Sequence, residues 1–378
     1  DVDHKTTIYY ARYVCRGASK VSFTTIDDRY LSTSKEVLLA FPYLLTYKSA
    51  ISLELFDLVY DSMLTTKGIS GATNNIVRHR ETQASRPPLQ SAFASPVEQY
   101  MTDHGCLDSE VIQKLWLTQT AVCSTLVEAH MASAECVKVL RVDHSQKFCS
   151  QLKVFGADGS KEQVASVRML LLVQNEVGQL LARGLTKSEN HEETTAILQP
   201  IANKLASTSH IERFLVKQDP FHVIQRLTEK ISDSVKRQWL SKRLSEGLYD
   251  VEGKLRSPDV MERMFTAALA TMNPSDIRVS SSEWEGCVKS NLEQIHTGDL
   301  FVETSNYCEG GCSVRVVSTS QLEAIHSKLR KLLDRVVSIE DGLRILDIFL
   351  LQVQPQTLLL SIKKNSQTLF LFYFVVAA

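Results

Sequence analysis

Lys236, Arg237, Lys242 and Arg243 set four cations into one short stretch, KRQWLSKR, with Trp239 between them. Lys217, Arg226 and Lys230 come just before it. Lysine and arginine neutralise phosphates and release their condensed counterions. An arginine fork grips two phosphate oxygens at once, and an indole gives a base a surface to stack on. Lys217, Arg226, Lys230, Lys236, Arg237, Trp239, Lys242 and Arg243 therefore form the candidate RNA-binding set, suited to a single strand or a 5′-phosphorylated end. The same cations could instead pair with Glu229, Asp233 and Glu246 on a solvated helix face.

Other clusters point less clearly to chemistry. Lys138, Arg141, Lys147 and Lys153 fall around a hairpin, where lysines guard an exposed edge. Lys328, Arg330, Lys331 and Arg335 read as the wet side of a helix. Cys308 and Cys312 flank Gly310-Gly311, with His296 upstream, but a structural zinc site wants two such pairs. No metal or other cofactor is expected. The chain has no Walker loop, HExxH, G-x-S-x-G or dinucleotide fingerprint. Gly68–Gly71 (GISG) follows no strand, and His104, His130 and His144 have no partner identifiable from sequence. No enzymatic activity is expected.

The bulk numbers suit a folded chain without a dominating field. Its 378 residues are 44% hydrophobic and 22% charged, with a net charge of −1. Nucleic acid would have to be held by local patches. Eight cysteines without regular pairing suit a reducing compartment. No apolar run reads as a membrane span, so no membrane partner is expected.

The elements that must position the basic stretch follow from periodicity and punctuation. Gln151–Gln174 reads as strand, turn at Asp158-Gly159, then a helix capped by Ser160. Similar strand–turn–helix pieces recur at Lys20–Leu45, Gly247–Met272 and Cys312–Val337. Val223–Arg243 reads as a basic amphipathic helix broken near Ser232-Asp233. The expected fold is α+β, built of small tandem units with helical linkers. Residues 1–64 form a partial unit plus a helix, and 65–105 a linker rich in Ser, Thr, Asn, Gly and Pro. Residues 106–195, 196–275 and 276–340 form three units, the middle one basic. Residues 341–378 form an apolar C-terminal hairpin, which must be covered because so apolar a hairpin cannot stand alone in water.

The order strand, helix, strand, loop, strand, helix resembles the KH RNA-binding module. NLEQIHTGDLFVET (Asn291–Thr304) is similar to its second helix and following strand, and CSVRVVSTSQLEAIHSKL (Cys312–Leu329) to its last strand and helix. Ser124–Val142 with Gln151–Leu170, and Asp219–Ile224 with Tyr249–Phe265, resemble the same pieces. The family's GXXG loop, whose backbone approaches the nucleic acid, would fall near Thr120–Cys123, Thr228–Ile231 and Trp284–Cys287, none of which is GXXG. Tandem degenerate KH-like units also resemble guide-RNA-binding and RNA-editing subunits of kinetoplastid mitochondria. The resemblance implies a non-catalytic ribonucleoprotein subunit, mitochondrial, that binds RNA, and the apolar C-terminal hairpin would dock other subunits, a homologous partner among them. The alternative is a scaffold in a large assembly, a mitochondrial ribosome or a capsid, with no RNA site of its own.

Overall fold

The computed structural model describes residues 1–17, 21–27, 41–45, 50–85, 97–104, 107–136, 139–156, 158, 160–176, 178–208, 217–303, 306–309, 312–315 and 319–353. The fold is α+β, with small sheets among more numerous helices. Two compact units are present. One comprises Asp1–Val127, Gln151–Gly159 and Lys331–Val353, and the other is built mainly from Glu128–Ser150 and Ser160–Arg330. Much of the Lys20–Leu45 piece and residues 354–378 of the expected C-terminal hairpin lie outside the described residues.

The first unit packs helices Leu53–Met63, Gly68–Ser85 and Ser109–Gln119 around Ile51, Leu55, Ile76 and Leu115. Ser52 caps the first of these by accepting from the Leu55 amide at 3.2 Å. The Gly68–Ser85 helix occupies what reads as linker. Its polar composition hides a narrow buried stripe, Ala72, Ile76 and Arg80, at helical spacing. Arg80 is only 1% exposed and donates to the carbonyls of Val2, Asp1 and His104. Its burial is tolerated because those carbonyls take up guanidinium donors.

The apolar run that reads as strand at Leu346 is instead the Ile339–Val353 helix. It follows Val337–Ser338, which pairs in parallel with Leu152–Phe155. Gly342 lets the helix close on that pair, since a Cβ there would sit 2.2 Å from Leu152 Cδ2. Arg344 donates to the Thr120 carbonyl at 2.8 Å, and Gln113 to Asp341 at 2.6 Å. Arg335 does not lie on a wet helix face. It turns inward and donates to the carbonyls of Thr65 and Met63.

In the second unit Arg141–Ser145, Met169–Gln174 and Leu180–Thr186 form an antiparallel sheet with the Met169 strand in the centre. Two expectations fail here. The helix expected after Ser160 is the Met169–Gln174 strand, and the helical linker after Asn175 is its Leu180–Thr186 neighbour. MLLLVQ is buried throughout, and a short run buried on both faces carries no period to separate strand from helix. The His191–Thr208 helix covers one face, where Ile201 and Leu205 meet Leu171 and Val173.

Four further helices, Pro220–Thr228, Ser234–Leu248, Pro258–Leu269 and Ser281–His296, share a core of Val223, Leu227, Leu240, Leu244, Phe265 and Ile295. The break near Ser232 is present, with Asp233 capping the second helix. Gly298, at φ 74°, follows the Thr297 cap of the last. Leu248–Glu252 is not a strand; the chain leaves the helix into a tight turn closed by a Tyr249–Leu255 bridge. Asn306–Glu309 pairs with Cys312–Arg315 as a hairpin.

Candidate functional site

The Ser234–Leu248 helix holds most of the basic set. Asp233 accepts from the Lys236 amide at 2.8 Å and starts it. Leu240, Leu244 and Leu248 are fully buried, so the opposite face is turned to solvent. That face carries Val235 at 72% exposure, Trp239 at 38%, and exposed Lys242 and Arg243. The Arg243 guanidinium lies 5.8 Å from the Trp239 ring centroid and 3.0 Å from Glu246. The Lys242 side chain makes no hydrogen bond or ion pair among the described residues.

The other five candidates are engaged inside the unit. Lys217 donates to the Gly298 carbonyl at 2.7 Å, and Arg237 to the Ile231 carbonyl at 2.8 Å. Arg226 donates to Gln294 at 3.2 Å, Lys230 pairs with Glu283, and Lys236 pairs with Asp276. These contacts tie helices to one another and to the turn at Pro274–Asp276. The segment Trp284–Cys287 lies within the Ser281–His296 helix, so its amides are committed to helical hydrogen bonds. A phosphate at this face would meet side chains.

The Lys236–Asp276 pair makes a pH prediction. The hydrogen bond from Lys236, helped by the Asn273 amide, holds the Asp276 carboxyl below its usual range. A depressed folded pKa gives stability that is present above the unfolded value, about 4, and lost as pH falls through the folded one. Thermal unfolding of Lys236→Met is expected to show a smaller loss of stability below about pH 4 than the unsubstituted chain.

A second cluster lies elsewhere in the same unit. Asp219 caps the Pro220–Thr228 helix by accepting from the Phe221 amide at 2.8 Å. Its other oxygen accepts from the Thr319 amide and, at 2.7 Å, from the Thr319 hydroxyl. This clamp joins the start of that helix to the start of the Ser320–Leu332 helix. It brings His222 Nε2 to 4.0 Å from Glu323 Oε1. Asp143, from the strand Arg141–Ser145, completes a group whose potential ligand atoms lie within 4.8 Å of one another. His326, one turn beyond Glu323, places Nε2 3.4 Å from Asp143 Oδ2. Burial pushes the Asp143 carboxyl up to about 7, with Glu323 adding to the shift, and pushes the His326 ring down to about 4. Burial thus disfavours the charged form of each partner, and the contact is not a strong ion pair.

Comparison with known protein families, curated proteins and solved structures finds no match. Function therefore rests on the sites themselves.

Asp143, His222 and Glu323 lie far apart in the chain and share no motif. The one local signal was Glu323-x-x-His326, a spacing that puts a carboxylate and an imidazole on one helix face. His296, weighed beside Cys308 and Cys312, pairs instead with Glu262 at 3.0 Å. Arg141, read as part of a basic hairpin edge, is 4% exposed and donates to the Asn175 carbonyl, while Lys138 lies outside the described residues.

Proposed function

We propose that this chain is a non-catalytic RNA-binding subunit of a ribonucleoprotein, contacting single-stranded RNA through Trp239, Lys242 and Arg243. The observation that carries it is the exposed face of the Ser234–Leu248 helix, where a half-open indole lies beside two exposed cations. The buried leucines on the opposite side fix that face, so little ordering is needed on binding. The indole offers stacking without base preference, and the cations take adjacent phosphates. Lys217, Arg226, Lys230, Lys236 and Arg237 shape the helix cluster behind the contact. The likeness to kinetoplastid editing subunits makes a mitochondrial RNA-processing particle the setting we propose.

Equilibrium binding of short single-stranded RNAs, with and without a 5′-triphosphate, across a salt series tests this. Each single-strand phosphate contact contributes about 0.7 to the slope of log affinity against log salt. Changing Lys242 and Arg243 together to alanine is expected to reduce that slope by about 1.4. A triphosphate preference lost in this variant would assign the two cations to end capture.

The scaffold reading draws on Val235, whose 72% exposure beside Trp239 gives the same face an apolar anchor suited to a protein partner. A folded chain that fails to bind RNA at low salt would transfer the face to that role.

No helix among the described residues is long and apolar enough to cross a membrane.

A further inference from the structure

We propose that Asp143, His222 and Glu323 bind one divalent cation of the zinc class, with His326 as the positioning residue behind Asp143. The three donors come from a strand and two helices, and the Asp219–Thr319 clamp holds the helices in place. A cation bonded at about 2.0–2.2 Å can bridge donor atoms no more than about 4.4 Å apart. His222 and Glu323, at 4.0 Å, already meet that limit. The 4.8 Å outer spacing of the group asks for a few tenths of an ångström of movement. His222 and Glu323 can supply it, since their side chains are 31% and 36% exposed.

His326 is the independent sign of a ligand. It is 3% exposed, Nδ1 has no hydrogen-bond partner, and Nε2 lies 3.4 Å from Asp143 Oδ2. A buried imidazole with so little to satisfy it is costly. A carboxylate that ligates a metal is commonly held from behind by such a group. Asp219 is not a ligand, because both its oxygens accept short bonds from Phe221 and Thr319, whereas His222 Nε2 has a long 3.4 Å contact with the Thr319 hydroxyl that a cation would replace. Arg141, on the same strand as Asp143, donates to the Asn175 carbonyl.

The donor set selects the ion. Magnesium and calcium favour all-oxygen shells, whereas an imidazole with carboxylates suits zinc and its neighbours. Three protein ligands leave a position for water. The cation would join the Arg141–Ser145 strand to the Pro220–Thr228 and Ser320–Leu332 helices. No reaction is assigned to it.

The test is calorimetric titration of the reduced, chelator-dialysed full chain with Zn²⁺, Mg²⁺ and Ca²⁺, repeated for His222→Ala and Glu323→Gln. The chain's ten histidines and eight cysteines offer other places for zinc, so the difference between the chains is the readout. Circular dichroism checks that both variants, altered at partly exposed side chains, remain folded. The expected result is one equivalent of Zn²⁺ bound in preference to Mg²⁺ and Ca²⁺, weakened at least tenfold in each variant. Substituting Co²⁺ gives an absorption spectrum that separates thiolate ligands from nitrogen and oxygen ones, and the latter are expected. His326→Gln is expected to weaken Zn²⁺ by about 10–100-fold without changing the Co²⁺ spectrum. Absence of a stoichiometric site, undiminished binding in both variants, or a thiolate spectrum overturns the proposal.

Discussion

Phe265→Ala is expected to destabilise the second unit by about 3–5 kcal/mol. Phe265 is fully buried at the centre of the four-helix cluster. It lies against Gly247 of the Ser234–Leu248 helix, where an added Cβ would sit 3.2 Å from Phe265 Cδ2. So close an approach leaves the neighbours little freedom to collapse into the space a truncated ring vacates, and the cavity adds to the lost transfer energy. Domains are stable by only about 5–15 kcal/mol, so the loss is a large fraction of the total. Urea unfolding followed by circular dichroism checks it. RNA binding is expected to weaken together with stability, because the binding face is fixed only while its buried side is packed.

Trp239→Ala separates these two effects. The side chain is 38% exposed and sits on the solvent side of the same helix, so its removal is expected to change stability by less than about 1 kcal/mol. A base stacked on it contributes about 1–3 kcal/mol, so RNA affinity is expected to fall by about 5- to 150-fold. The comparison to make is affinity and unfolding on the same preparation. Trp239→Phe, which keeps an aromatic face, is expected to recover part of the lost affinity. Equal losses of stability in the Phe265 and Trp239 variants would place the indole in the core and remove it from the interface.

Some local signals in the sequence mark real boundaries, but the Ser160 cap does not, since strands follow it. The break near Ser232-Asp233 is a local signal, and it marks a real helix boundary. Two kinds of segment misled. MLLLVQ is buried on both faces and LDIFLLQV is largely apolar, and their neighbours decide between strand and helix. Gly68–Ser85 is polar enough to look like linker, because its stripe includes an arginine where a leucine is usual. The basic set was legible as a cluster, but not its division into inward and outward cations. That division depends on Asp276, Glu283 and the Ile231 carbonyl, partners brought in by tertiary packing. The Asp143–His222–Glu323 group required three elements remote in sequence to meet.

The measurement that tests the RNA interface most directly is photo-cross-linking of a short single-stranded RNA, followed by mass spectrometry of the tryptic peptides. Cleavage after Arg237 and Lys242 releases Gln238–Lys242, QWLSK, which carries Trp239. The account predicts that this peptide is the principal adduct and that it disappears as salt is raised. Principal adducts within Asp1–Val127, or no adduct from folded chain at low salt, would contradict it.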